Sequence, residues 1–362
     1  MKMGVSAIKV VILCIFLFLG MMLPGIYMQP ESSLEVWNLN ESDFPINSSQ
    51  PQEKLTFLLN YAILAPSSHN SQPWRFNVSD ERIKLYADGS RWLSVADADK
   101  REMYISLGAA LENLILAAEH FGYNSTVTYF SGQEDLVAEV SLKAGSPQSS
   151  NSSLFRAITA RRTNRDPYET RAISQADLDY IRKLSSHPDT AVLFSQDPDT
   201  KEAFRELVVQ ADRALYSDIN YRSELGSWLS QGVMGPRGLE AKMAQLAVVF
   251  LDVGPEETEK DSDRINSTPC IGFISTAEND SISSLQAGRA LERLWLASAT
   301  RGLGLQPMSQ PLEVRQTREK LAALLPAASE KRVVQQAFRL GYAPVEGERS
   351  SRRPLQDLLV KG

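Results

Sequence analysis

The chain of 362 residues lacks the features that define several simple classes of protein. Of its two cysteines, Cys14 lies in an apolar N-terminal run and only Cys270 lies in the body, which excludes an internal disulfide framework and a cysteine-based metal site. The three histidines do not have the spacing of a metal-binding motif. The net charge is −6 and the basic residues are scattered, which argues against nucleic-acid binding. The chain is 43% hydrophobic, enough for a substantial globular core.

One long apolar run is present, at the N-terminus. Residues 10–28 carry no charge and follow Lys2 and Lys9. This length approaches the ~20 residues of a membrane-spanning helix. No small-residue cleavage site follows, so residues 1–28 are predicted to form an uncleaved anchor, with a cleaved signal as the alternative. The positive-inside rule then places the body on the outer face, periplasmic or extracellular. Residues 29–52 are polar and acidic and are expected to form a solvated tether.

The body contains an internal repeat. GAALENLILAAEHFGY at 108–123 and GRALERLWLASATRGL at 288–303 share eight residues when one is shifted by 180 positions. Both are apolar on most faces, which is typical of central helices, although two unrelated Leu/Ala-rich helices remain the alternative. A second pair, SSHNSQPWRFNV at 67–78 and SSHPDTAVLFSQ at 185–196, is unequal because the later copy lacks the Asn, Gln and Trp of the earlier one.

The hydrophobic patterns predict a mixture of helices and strands. Helices are expected at 53–65, 103–122, 174–185, 201–217, 285–301 and 313–325. Strands are expected at RFNV, IKLYAD, TVTYF, LVAEVSL, TAVLFSQ, AQLAVVFLDV, PCIGFIST and VVQQAFRLGYAP. The sequence therefore predicts an α+β fold with two related halves, residues 53–150 and 151–362.

Four short segments carry polar groups suited to a ligand. APSSHNSQPW (65–74) follows the first helix, RRTNR (161–165) brings three guanidinium groups, and ERSSRRPL (348–355) brings three more. Guanidinium forks bind phosphate, although each cluster alone is also typical of a solvated surface. RGLGLQPMSQP (301–311) leaves a helix through glycines, which either cap the helix or free the N–H groups of Met308 and Ser309 to meet an acceptor.

These segments, in this order, resemble the FMN-dependent nitroreductase superfamily and its internally duplicated, Acg-like branch, over roughly residues 53–362. The resemblance implies a duplicated α/β/α sandwich with a central, mostly antiparallel sheet. It also implies FMN as cofactor, NAD(P)H as reductant, and a nitroaromatic, quinone or similar small molecule as acceptor. Because the two halves lost complementary parts, one composite pocket is expected, and the chain could act as a pseudo-dimeric monomer. A low-turnover flavin-binding protein, lidded by residues 216–244, is the alternative.

The resemblance also assigns roles to residues. The PSS-x-N segment would contact the flavin ring and ribityl chain, the arginine-rich segments would bind the phosphate and pyrimidine edge, and the exit loop would face N5 and O4. Gln72 and Trp74 are expected to pack at a strand edge, and no catalytic acid, base or metal ligand is assigned. The expected cofactor-binding residues are Pro66, Ser67, Ser68, Asn70, Arg161, Arg162, Thr163, Arg165, Pro307, Met308, Ser309 and Arg352.

Overall fold

The computed structural model describes residues 34–147, 151–325, 332–343 and 347–360. The predicted anchor, residues 1–28, lies outside these ranges. Within them, no helix has the length and apolar character needed to cross a membrane. The helices are α1 Pro51–Ala62, α2 Arg101–His120, α3 Ser152–Ala157, α4 Gln175–Leu184, α5 Pro198–Ser217, α6 Ile219–Ser230, α7 Gly238–Phe250, α8 Gly254–Asn266, α9 Ser281–Ala299, α10 Gln310–Glu313 and α11 Arg315–Leu321. The strands are β1 Trp74–Ser79, β2 Arg82–Ala87, β3 Tyr123–Tyr129, β4 Leu136–Ala144, β5 Thr190–Ser195, β6 Cys270–Thr276, β7 Leu303–Pro307 and β8 Val333–Tyr342.

The strands form two four-stranded sheets, ordered β1-β2-β4-β3 and β5-β6-β8-β7. Neighbouring strands are antiparallel in both sheets, so the expected α+β class with antiparallel pairing is confirmed. The identical strand order supports an internal duplication. Each half has a four-stranded antiparallel sheet of its own, so the central sheet expected of a duplicated sandwich occurs once in each half.

The two sheets are covered differently. Every residue of β6 is buried, because α9 covers one face of the second sheet while α5, α10 and α11 cover the other. In the first half, β3 alternates between half-buried and exposed residues, and only one face packs against the apolar core formed with α1 and α2. The α/β/α sandwich is therefore correct for the second half, whereas the first half has two layers.

The repeat helices α2 and α9 cross at the centre of the molecule through paired glycines. A Cβ on Gly108 would lie 2.1 Å from the carbonyl oxygen of Leu285, and a Cβ on Gly288 would lie 2.0 Å from that of Ile105. These contacts are reciprocal under the 180-residue shift of the repeat. Glu112 of α2 accepts hydrogen bonds at 2.8 Å from both Arg289 and Arg293 of α9.

The segment AQLAVVFLDV does not form the predicted strand. Most of it lies in α7, which packs against α6 where Gly226 allows a close approach: a Cβ there would lie 2.8 Å from Val249 Cγ2. Helix-on-helix packing overrides the β-branched character of the segment. Helices α6 and α8 were not predicted from the sequence.

The described part of the expected tether, from residue 34, is folded onto the body rather than solvated. Trp37 is only 3% exposed, and Phe44 stacks on Phe121 with ring centroids 4.4 Å apart. Two aromatic residues in an otherwise polar stretch are sufficient to fix it against the apolar core.

Candidate functional site

The predicted residues meet at a cavity of two joined compartments. The basic compartment, about 230 Å³, is lined by Arg161, Arg162, Arg165, Arg349 and Arg352, together with Trp37, Asn70 and Glu348. The inner compartment, about 310 Å³, is lined by Ser68, Glu102, Trp295, Pro307, Ser309 and others. Both share Pro66, Ser67, His69, Thr163, Arg165 and Met234, which makes them continuous. A larger cavity, about 520 Å³, lies between α5 and α8 and contains none of the predicted residues.

The loop at 67–72 has an unusual backbone. His69, Asn70 and Gln72 adopt positive φ angles of 49°, 51° and 52°, a region that side chains other than glycine rarely occupy. Two hydrogen bonds fix the loop. The backbone N–H of Gln72 donates to Ser67 Oγ at 2.9 Å, and Ser68 Oγ donates to the Glu102 carboxylate. Strained backbone held in place by surrounding contacts is typical of binding sites.

Asn70 joins three distant segments. Its Nδ2 donates to the carbonyl oxygens of Val233, at 2.7 Å, and Ser351, at 2.9 Å. Its Oδ1 accepts a hydrogen bond of 3.1 Å from Arg352 Nη1. The amide is thus engaged in contacts that close the cavity. Residues 233–235, within the segment expected to be a lid, form part of the cavity wall.

The segment RRTNR lies beside β7, because Thr163 forms an isolated parallel bridge with Leu305. Arg161 Nη2 donates to the carbonyl oxygen of Leu64 at 2.9 Å, and its guanidinium lies 4.6 Å from the Trp295 ring centroid. Its Nε lies 3.5 Å from Glu292 Oε1. In contrast, the guanidinium of Arg165, which is exposed to both compartments, has no hydrogen-bond or ion-pair partner among the described residues.

Arg352 is buried and has a structural function as well as a place in the cavity wall. Its Nη2 donates to the carbonyl oxygens of Leu64, at 3.0 Å, and Ala65, at 3.1 Å, just after the end of α1. Burial, and then repulsion from Arg161, lowers the pKa of Arg352 to about 9. Burial also lowers the pKa of Arg161 and of Arg165. The basic compartment therefore holds positive charge that the protein only partly compensates, which fits a bound anion such as a phosphate group.

The inner compartment has a different electrostatic character. Its wall includes Asp97, Glu102, Glu257, Asp261 and Glu313. Burial, and then repulsion from Glu102, raises the pKa of Asp97 to about 7, and burial raises the pKa of Glu313 well above its ordinary value. These carboxyl groups were not predicted as site residues, because they come from separate segments and no local motif marks them.

One of the predicted site residues does not line the cavity. Met308 is fully buried outside the cavity, and its N–H donates to the carbonyl oxygen of Ala337 at 2.8 Å, so the expectation of a free N–H is wrong. This N–H is hydrogen-bonded because the pairing of β7 with β8 continues to Met308. Gln72 and Trp74 are fully buried and do not line the cavity, as expected. The predicted residues that do line it are Pro66, Ser67, Ser68, Asn70, Arg161, Arg162, Thr163, Arg165, Pro307, Ser309 and Arg352.

Two proteins with similar sequences carry the same kind of name. The chain is 26% identical over 314 residues to "Putative NAD(P)H nitroreductase Rv3131" of Mycobacterium tuberculosis, covering 84% of this chain and 90% of the relative. It is also 26% identical over 314 residues to "Putative NAD(P)H nitroreductase acg" of the same organism, covering 82% and 92%. No family model matches.

Among solved structures, the nitroreductase NfnB from Mycobacterium smegmatis in complex with NADPH is similar, at 17% identity. The alignment has a TM-score of 0.40 and covers 58% of this chain and 98% of that one. The two relatives cover more than four fifths of this chain, so the similarity extends over both halves. The chain is therefore similar, over most of its length, to two mycobacterial proteins that are named putative NAD(P)H nitroreductases.

Proposed function

We propose that this chain is an FMN-dependent oxidoreductase that takes electrons from NAD(P)H and passes them to a small acceptor such as a nitroaromatic or a quinone. The observation that carries the proposal is the composite cavity, which places partly compensated arginines at one end and a largely uncharged polar loop at its centre. The names of the mycobacterial relatives support the same chemistry.

The residues of the cavity divide into two groups. Arg161, Thr163 and Arg165 would bind the phosphate and stabilise negative charge, since Arg165 has donors without a partner in the described residues. Pro66, Ser67 and Ser68 would contact the ribityl chain and ring, and Pro307 and Ser309 would lie at the ring's far side. Ser309 Oγ is 3.2 Å from Gln336 Oε1, a hydrogen bond that orients the hydroxyl group.

FMN supplies, when bound, the hydride transfer between the nicotinamide and the acceptor. The chain's own residues hold the reactants and exclude water. The pKa of His69 is lowered by burial, so this residue stays neutral near pH 7 where it borders both compartments. The acidic wall of the inner compartment can retain protons near neutral pH because burial raises the pKa of Asp97 to about 7.

A visible absorption spectrum of the purified protein tests the cofactor. We expect a flavin band, or its appearance after incubation with FMN. A preparation that stays colourless with excess FMN contradicts the proposal. Reduction by NADPH or NADH without oxygen, followed by reoxidation with a quinone, tests the reaction itself.

A second function, flavin holding with little turnover, is favoured by one contact. The hydrogen bond of 2.7 Å from Asn70 Nδ2 to the Val233 carbonyl ties the segment between α6 and α7 over the cavity. A cover held in this way hinders the entry of a nicotinamide. Lasting failure of NADPH to bleach the flavin band without oxygen favours holding, whereas rapid bleaching favours turnover.

We also propose that residues 1–28 anchor the chain in a membrane with the body on the outer face. The uncharged run and the preceding lysines support this topology. A reporter fused after Gly362 tests it: activity of a reporter that functions only in the cytosol would overturn the assignment of sides.

A further inference from the structure

The stretch that follows the predicted anchor reaches the basic compartment. Residues Glu35–Trp37 form a short 3₁₀ helix, and Trp37 lies in the wall beside Arg161, Arg349 and Arg352. The ring is only 3% exposed although it belongs to a segment that the sequence marks as polar. The ring belongs to the edge of the apolar core and also faces arginines of the cavity, so it joins the core to the basic compartment.

The contacts of Trp37 are directed at the C-terminal arginine segment. Its Nε1 donates to the carbonyl oxygen of Ser350 at 2.9 Å. The guanidinium carbon of Arg352 lies 4.9 Å from the ring centroid, and that of Arg349 lies 5.8 Å away. One indole thus contacts Ser350 through its N–H group and Arg349 and Arg352 through its ring.

Among the described residues, the guanidinium of Arg349 has no hydrogen-bond or ion-pair partner, whereas both Nη atoms of Arg352 donate to protein oxygens. A cation over an aromatic face is stabilised by the ring's quadrupole, and the N–H groups at the guanidinium edge stay free to bind an anion. A carboxylate in the same place would form ion pairs and compete with a phosphate group. An aromatic ring is therefore a suitable support for arginines that must bind an anionic ligand.

We propose that Trp37 is a positioning residue for the cofactor: it closes the basic compartment and, through its contacts with Ser350 and Arg352, holds Arg349 where its guanidinium meets the phosphate group of FMN. The inference rests on the proposed function. It assigns one residue of the segment between the predicted anchor and the body, Trp37, a part in cofactor binding.

The test compares FMN with riboflavin, which has the same ring and ribityl chain but no phosphate. Dissociation constants for both are measured by flavin fluorescence with the full-length chain and its Trp37→Ala, Trp37→Leu and Trp37→Phe variants. We expect Trp37→Ala and Trp37→Leu to weaken FMN binding by about 10-fold, a change of about 1.4 kcal/mol, while riboflavin binding changes by less than about 2-fold. Trp37→Phe keeps an aromatic face and should retain most of the FMN affinity.

Phe44→Ala is the matched control. Phe44 lies in the same segment and stacks on Phe121, but it does not line the cavity. It should leave the ratio of FMN to riboflavin affinity unchanged. Equal weakening of both ligands in Trp37→Leu, or the same change of ratio in Phe44→Ala, would overturn the inference. Absence of FMN binding by the unmodified chain would instead contradict the proposed function.

Discussion

At the scale of single residues, the arginines of the cavity are not equivalent. Arg352 donates to the carbonyl oxygens of Leu64 and Ala65 and to Asn70, so it holds the fold together. Arg165 has no partner among the described residues although it lines both compartments. A side chain that is held without protein partners is the one whose donors are most available to a ligand.

We predict that Arg165→Gln weakens FMN binding by about 10-fold or more and changes the free energy of unfolding without flavin by less than about 0.5 kcal/mol. Arg352→Gln should instead lower the free energy of unfolding by about 2 kcal/mol, since it removes the donor to the Ala65 carbonyl oxygen and one of the two donors to that of Leu64. Urea unfolding and FMN titration check both. Equal destabilisation by the two variants would contradict the distinction.

Asp212 gives a prediction for pH. It is 1% exposed, and burial, followed by repulsion from Asp261 and Glu257, raises its pKa to about 8 from an ordinary value of 3.8. The folded chain therefore keeps a proton that the unfolded chain releases. The stability from this proton is complete below about pH 4 and is lost as the pH rises through about 8.

Asp212→Asn should remove this dependence, which amounts to at most about 1.4 kcal/mol per pH unit between those values, and should raise the free energy of unfolding at pH 9. Urea unfolding at pH 5, 7 and 9 measures it. Asp199→Asn, at an exposed position of the same helix, is the control and should leave the slope unchanged. An unchanged slope in Asp212→Asn would refute the assignment.

At the scale of elements, the crossing of α2 and α9 depends on glycine. A Cβ at Gly108 would meet the Leu285 carbonyl oxygen at 2.1 Å, which only separation of the helices can relieve. Alanine is favoured over glycine in a helix by about 1 kcal/mol, so propensity alone predicts stabilisation. The close contact with the Leu285 carbonyl oxygen instead predicts that alanine at position 108 destabilises the protein.

Gly108→Ala should lower the free energy of unfolding by about 3 kcal/mol. Gly89→Ala is the control, because a Cβ at Gly89 would have nothing within 4 Å and should have little effect. Urea or thermal unfolding distinguishes the two variants. A Gly108→Ala variant as stable as the parent would show that the helices do not cross as closely as described.

At the scale of the whole molecule, the site is assembled from chain segments that are far apart in sequence. Asn70 bonds to Val233 and to Ser351, and the C-terminal stretch then runs along β1, where the Val360 N–H donates to the Phe76 carbonyl oxygen at 2.8 Å. The second half of the sequence thereby completes a pocket built on the loop of the first half.

Asn70→Ala should raise amide hydrogen exchange at residues 231–235 and at 350–353 together, since one side chain holds both. Asn77→Ala is the matched control: within the described ranges, Asn77 Nδ2 donates to the Val360 carbonyl oxygen alone, at 3.0 Å, and its loss should affect the chain end but not residues 231–235. Exchange mass spectrometry checks this. A rise confined to one of the two segments would contradict the shared role of Asn70.

Much of the fold could be predicted because its signals are local. The strands at 74–79 and 270–276 follow from alternation and apolar runs, and the PSS-x-N and RRTNR segments are recognisable wherever they lie in the fold. The strand predicted at AQLAVVFLDV failed because a short apolar run fits a helix as well, and its partner α6 decided the outcome. The free N–H predicted at Met308 failed because β8 accepts it.

Most helices and strands of both halves, the repeat of the central helices and the residue types of the cavity could be read from the sequence, because they are carried by local patterns and by residue identity. Only the tertiary structure decided that Trp37 supports Arg349 and Arg352, that Asn70 ties Val233 to Ser351, and that carboxyl groups line the inner compartment. Contacts between residues hundreds of positions apart leave no periodicity in one sequence. Burial and charge at these places are consequently properties of the folded chain.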